Sequence, residues 1–306
     1  MTSHNRPLLA MALRLGAVAV LATLTMTVKY TVDSGVAFAE VLFWRQVATV
    51  PILLAWLAWR SEVSRLKTRR LPAHFRRALM GTVGMGFTFG APVLLPLAEA
   101  TTLGFTTPIF AVIFSALLLG EKVGRYRWLA VVLGFCGVLV IARPDGELPL
   151  LGSLVGLGAG VMVALISIQV RDLTRTDEPL SIVFWFAALS TPVLALGLAF
   201  VASAHTTDQW LLLGALGVLG CVGQLLLTAS LRFGQVSSVI VMDYTALAWA
   251  TLCGWSIWGD VPRAATWLGA PLILAAGLVI VWREHHLGRA EKLGRTSAGT
   301  LPSEAS

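Results

Sequence analysis

The chain is short of charge. Asp, Glu, Lys and Arg make up only 13% of its 306 residues, against about 25% in an ordinary soluble protein. The apolar residues alone supply 57%, and the mean hydropathy is +0.80. So little charge cannot cover so much apolar surface in water, which excludes a soluble globular fold and a disordered chain alike. Cysteine is scarce as well. Cys136, Cys221 and Cys253 lie inside apolar runs, leaving neither a disulfide framework nor a CxxC metal site. The histidines His4, His74, His205, His285 and His286 read as loop or tail residues, which argues against a metal held inside a membrane. No GxxxxGK[ST] loop occurs, and Gly156-Leu157-Gly158-Ala159-Gly160 sits within an apolar run with no strand before it. ATP-driven pumping by this chain alone is therefore excluded.

What is present is a series of long apolar runs. A helix needs about 20 such residues to cross the hydrocarbon core. Ten runs are found, at 8–28, 38–59, 78–97, 99–119, 127–142, 150–170, 180–203, 208–231, 236–258 and 265–282, the fifth and tenth being short. They predict an all-α integral membrane protein of ten transmembrane helices, with 284–306 as a disordered tail. Ala37-Phe38-Ala39 imitates a signal-peptide cleavage site. The run before it is too long for a signal sequence, and Ala37 already belongs to the next apolar stretch.

Positive charge is sorted by side. With the N-terminus cytoplasmic, every one of the 23 Lys and Arg residues falls inside except Lys29, Arg143, Arg263 and the intramembrane Arg45. The positive-inside rule then places both termini in the cytoplasm. The same sorting accounts for the net charge of +7 without any nucleic acid partner. Trp56, Trp59, Trp128 and Trp282 lie near inner ends and Trp210, Trp255, Trp258 and Trp267 near outer ends, as an interfacial belt requires.

The two halves echo each other. Residues 120–143 and 259–283 pair Gly120-Glu121 with Gly259-Asp260, Trp128-Leu129 with Trp267-Leu268 and, after one inserted residue, Gly137 with Gly277. Five crossings is an odd number, so two five-helix repeats, 8–143 and 150–283, must be inserted in opposite senses. The third span of each half is rich in breakers: Gly81, Gly84, Gly86, Gly90, Pro92 and Pro96 in one, Gly214, Gly217, Gly220 and Gly223 in the other. Such matched interruptions point to a transporter binding site, and equally to close helix packing.

The pattern resembles the drug/metabolite transporter superfamily in its EamA-type ten-helix form. The residues that carry the likeness are Phe43-Trp44-Arg45-Gln46 with Ala48, then the stretch from Ala98 to Arg143, with Thr107-Pro108-Ile109-Phe110 and Leu118-Leu119-Gly120-Glu121. Asp243-Tyr244-Thr245-Ala246-Leu247, Gly254 and Gly259-Asp260-Val261-Pro262 carry it in the second half. Asp260 stands where such proteins usually have Glu, and Leu247 matches Pro108. The resemblance implies a secondary carrier of a small organic metabolite working by alternating access, in a bacterial inner membrane. It implies no cofactor and leaves open monomer or homodimer. Amino acids, amines, vitamins and nucleobase-type solutes all remain candidates; export is the favoured direction and proton coupling an open option.

Few charges lie at bilayer depth, where each costs about 2.5–3.5 kcal/mol on insertion scales. Asp243 reads as the only carboxylate well inside a span. Arg45 lies at a depth within about 6 Å of it, close enough to pair if their helices are neighbours. Asp243 is read as binding a proton or a cationic group. Arg45 would hold an anionic group, although a structural ion pair or snorkelling to the headgroups fits it better. Glu121 and Asp260 read as N-caps of the fifth and tenth helices, and Lys29 as snorkelling. Gln224 and Thr228 share a helix face, and Tyr244, Trp249, Phe87 and Thr107 complete a mixture of aromatic and hydrogen-bonding groups suited to an organic ligand. The competing class, a membrane-embedded enzyme acting on lipid or peptide, needs a clustered nucleophile, base or metal that this reading does not offer.

Overall fold

The computed structural model describes residues 7–118, 124–141, 148–173, 176–233 and 241–298. Among them the regular structure is helical: α1 Pro7–Asp33, α2 Phe38–Val47, α3 Thr49–Trp59, a 3-10 turn Val63–Leu66, α4 Leu71–Leu94, α5 Leu97–Gly104, α6 Thr107–Leu118, α7 Arg125–Ile141, α8 Leu150–Leu173, α9 Pro179–Val201, α10 Thr207–Phe233, a 3-10 turn Val241–Tyr244, α11 Thr245–Trp258 and α12 Ala264–Ala298. Six helical stretches are long and apolar enough to cross a membrane: Leu8–Asp33, Phe38–Trp59, Leu97–Phe114, Leu150–Val170, Pro179–Leu198 and Thr207–Leu227. Trp128–Ile141 and Ala264–Ile280 are shorter apolar helices.

Two of the sequence runs are each divided into two helix segments. The second is interrupted only at Ala48, whose φ of −63° and ψ of −28° remain helical, so α2 and α3 run on as one stretch. The fourth breaks at Phe105-Thr106, between α5 and α6. At that break the Thr106 hydroxyl donates to the Leu103 carbonyl and the Thr107 hydroxyl to that of Gly104, at 2.6 and 2.8 Å. Pro108 follows with no N–H to give. The last run departs in the other direction. The segment from residue 284, expected to be disordered, continues α12 as helix to Ala298. Its Glu, Lys, Arg and Ala residues favour helix.

The halves interleave. The closest helix pairs are α1 with α10, α7 with α12 and α4 with α8, each joining an element before residue 143 to one after 150. One core cluster shows the same mixing: Leu24, Val41, Met85 and Phe89 pack with Leu194, Leu213 and Leu216. Glycine sets the closest approach. A Cβ on Gly137 would lie 2.8 Å from the Gly269 carbonyl oxygen, and one on Gly269 would lie 2.7 Å from that of Gly137. The breaker-rich spans pack in this way too, Gly84 against Ile166, Gly217 against Ala48 and Gly223 against Leu21. Outward faces such as Leu129, Val132 and Leu139 of α7 are exposed and apolar, as a lipid-facing surface requires.

Several polar residues lie deeper than their sequence position suggests. His74 belongs to α4, not to a loop, and is fully buried with Nε2 3.4 Å from Asp177. Glu40 and Glu99 are each 1% exposed, far more deeply buried than Asp243. Glu40 meets His205 at 3.2 Å. Glu99 accepts from the Thr266 hydroxyl at 3.0 Å and from the Arg263 backbone N–H at 3.2 Å. This carboxylate from α5 therefore caps α12, which starts at Ala264. Asp260, expected as that cap, lies in the turn after Gly259, whose left-handed φ of 69° closes α11. Glu121 lies outside the described residues.

Candidate functional site

A cavity of about 300 Å³ lies between α1, α5, α10 and α11. Its wall is mostly apolar, with Val18, Leu21, Leu97, Phe105, Leu227 and Ala250, and its polar groups are Arg14, Thr25, Thr101 and Asp243. Arg14 and Asp243 both belong to that wall and are in direct contact. The guanidinium donates through Nε to Oδ1 at 2.6 Å and through a terminal nitrogen to Oδ2 at 2.5 Å. This fork-to-fork pair fixes both groups in one plane. The Arg14 side chain is 10% exposed and that of Asp243 35%, so the carboxylate keeps the larger opening to the cavity. The 3-10 turn Val241–Tyr244 presents Asp243 ahead of α11, where the backbone has not yet settled into an α-helix.

The sequence expectations divide on this geometry. Asp243 lines the cavity. Tyr244 stands behind the wall, its ring edge-on to cavity-lining Phe105 at 5.3 Å and its hydroxyl against Gly277, buried and without a hydrogen-bond partner. Gln224 is half-buried on α10, three residues before the lining Leu227, and is not itself in the wall. The Thr228 side chain lies outside the described residues. Thr107 uses its hydroxyl at the α5–α6 break, and Phe87 packs against Gly158 of α8. Trp249 is 40% exposed on α11, outside the wall.

Arg45 does not meet Asp243. It is 5% exposed, donates to Gln46 Oε1 at 3.2 Å and to Met85 Sδ at 2.9 Å, and stacks over the Phe89 ring at 4.7 Å. Its Nε is buried without a partner. It belongs to α2, which packs on α9 and α10, whereas Asp243 adjoins α1. A buried cation met only by neutral groups is a burden on stability. Arg45→Met is accordingly expected to melt no lower than the parent when the detergent-purified protein is heated; a drop of several degrees would show that the guanidinium stabilises the fold.

Arg14 is the residue that sequence reasoning missed. By charge sorting it is one of the inside cations, yet it sits within the apolar run 8–28, and that position is the available signal. Lys29 was also misjudged. It does not snorkel: it is 8% exposed, and Nζ donates to the carbonyl oxygens of Pro92 and Leu95 at 3.0 and 2.9 Å. Among the described residues no group of three or more His, Cys, Asp or Glu side chains could hold a metal.

Comparison with known proteins follows the same lines. The profile of the EamA-like transporter family matches residues 8–143 and again residues 150–282. The chain is 32% identical over 246 residues to the pseudopaline exporter of Pseudomonas aeruginosa strain UCBPP-PA14, covering 79% of this chain and 85% of that protein. It is 29% identical over 264 residues to a riboflavin transporter of Vibrio cholerae, covering 86% and 89%. It is 27% identical over 249 residues to an S-adenosylmethionine uptake transporter of Rickettsia bellii, covering 80% and 84%. A crystal structure at 21% identity superposes with a TM-score of 0.63 over 91% of this chain and 98% of the other, a likeness of fold.

Proposed function

This chain belongs to the EamA-like transporter family, and we propose that it moves a small organic metabolite by alternating access through the cavity that Arg14 and Asp243 line. The family is one of transporters, so the enzymatic alternative is set aside. The carrying observation is the ion pair itself. Two charges at the edge of an apolar chamber neutralise each other and become available when a solute of mixed polarity enters. Apolar walls would take the body of the solute, and the two charges its polar end.

In this reading the chain crosses the membrane ten times. The divided spans α2–α3 and α5–α6 each count as one crossing, and so does the 3-10 turn with α11. The two matched segments, 8–143 and 150–282, are inverted with respect to each other. The double family match and the odd number of helices per half support that arrangement. The sorting of Lys and Arg supports cytoplasmic termini, and an inner membrane as the location. Export is the proposed direction, supported by the likeness to an exporter, with the chain acting as a monomer or homodimer.

Asp243 is the only carboxylate among the described residues lining the cavity, and so the group in that wall suited to carry a coupled proton. In proteoliposomes, Asp243→Asn is expected to remove the pH dependence of solute flux, measured with the solute that most raises the melting temperature in a metabolite-library screen. Flux that keeps its pH dependence would end the proton-coupling part of the proposal. Saturable uptake without counterflow would end the carrier mechanism.

A further inference from the structure

We infer that Lys29 is the second latch of the transport cycle, holding the C-terminal end of α1 against the broken end of α4 while the cavity is closed on that side. The inference rests on the transporter reading above. One face of α1 carries Arg14, Val18, Leu21, Ala22, Thr25 and Lys29 at helical spacing. All but Lys29 line the cavity, and Lys29 stands one turn beyond Thr25. From Arg14 to Lys29 is about 22 Å of helix, so a single rod spans the chamber with a buried cation at each end. Arg14 ties one end to the turn before α11. Lys29 ties the other to α4.

The socket that receives Lys29 exists for a covalent reason. In a continuing helix the Pro92 carbonyl would accept from the backbone N–H of residue 96, but Pro96 has none. Leu95, at φ −130° and ψ 160°, has already left the helix, so its carbonyl is outside the ladder as well. Buried carbonyls need donors, and a buried ammonium needs acceptors. Lys29 meets both needs across the α1–α4 contact, at 3.0 and 2.9 Å.

The contact is built to come apart. Lys29 bonds to neutral carbonyls, while Asp33, Asp260 and Glu99 act on its ammonium electrostatically. Asp33 lies at i+4 on the same helix, and it now accepts from the Trp258 indole N–H at 2.8 Å, with Lys29 Nζ 5.5 Å from that ring. If the end of α1 moves away from α4 and α11, Lys29 and Asp33 lose their outside partners together and pair within their own turn. Glu99 Oε2, buried and without a partner, offers a second landing. The charge is therefore never stranded, which separates a latch from a permanent staple.

The test uses Thr25→Cys as a reporter in the full chain with Cys136, Cys221 and Cys253 replaced by alanine. A membrane-impermeant cationic methanethiosulfonate is applied to either face of sealed vesicles. Lys29→Met is expected to raise the modification rate about tenfold on the face holding the C-terminal end of α1, the shift given by losing about one charge-assisted hydrogen bond. Arg14→Met raises the rate on the opposite face. Asp33→Asn, which removes the exchange partner, slows it on the first face. If Lys29→Met leaves the rate at the parent value while Arg14→Met shifts it, Lys29 is no latch and the transporter reading stands. If no variant alters access on either face, the alternating cavity fails and the latch with it. Should Lys29→Met not accumulate, Asp33→Asn decides: an unchanged rate overturns the inference.

Discussion

Asp243→Ala is expected to destabilise the purified protein more than Arg14→Met and Asp243→Leu do together, while both variants lose counterflow. The single change removes the partner of a guanidinium that is 10% exposed and held by two short hydrogen bonds. Breaking a fully buried pair costs about 3–5 kcal/mol, because the surviving charge stays desolvated. Asp243 keeps a 35% exposed side chain, so the expected loss is smaller, about 2 kcal/mol. Replacing both groups by apolar side chains of similar size removes the stranded charge and lets the cavity wall join its Val18 and Leu21 neighbours. Thermal unfolding of the two variants beside the parent measures the difference. A double variant that melts below Asp243→Ala would mean that the pair is a net stabiliser, and the picture of two charges held ready for a solute would lose its energetic basis.

Gly137→Val should prevent accumulation of folded protein, the largest effect expected of any uncharged substitution here. The obstacle is backbone, not side chain. A new Cβ would face the Gly269 carbonyl oxygen at 2.8 Å and Ile273 Cγ1 at 2.8 Å. Side chains yield to overpacking at about 1–3 kcal/mol, but two helix backbones can only move apart, so the cost falls at or above the top of that range. Separation of α7 from α12 would also open the packing of Ile109, Val131 and Ala276. Gly86→Ala is the matched control, since nothing lies within 4 Å of its added Cβ, and alanine is the better helix former by about 1 kcal/mol. Size-exclusion profiles of the two proteins in detergent compare them directly. A monodisperse Gly137→Val protein with the parent's melting temperature would show that the α7–α12 contact tolerates separation.

Apolar runs made the helical class legible, because the bilayer demands length and composition that few other folds share. Asp243 was legible for the same reason: a carboxylate in such a run is costly and stands out. Its partner was not. Sequence gives depth along the membrane normal, and depth alone pointed from Asp243 to Arg45; which helices are neighbours decides the pairing, and apolar periodicity does not encode that. Glu40, Glu99 and His74 sit near helix ends, where a charged residue usually means interface, so their burial carried no warning. Lys29 was read by the same end-of-helix rule. The proline pair Pro92 and Pro96 held the missing information, since it leaves carbonyls that some donor must reach. The break at Phe105-Thr106 was hidden within a run whose apolar composition is uninterrupted.

That break has a consequence for what the protein admits. Leu97, Thr101 and Phe105, all cavity residues, belong to an eight-residue rod or its immediate end. The rod leans on α8 and α11, whereas α6 beyond the break leans on α8 and α12. The two pieces share α8 as a neighbour but differ in their second support. The bore of the chamber then depends on where that short piece is seated, and not on its side chains alone.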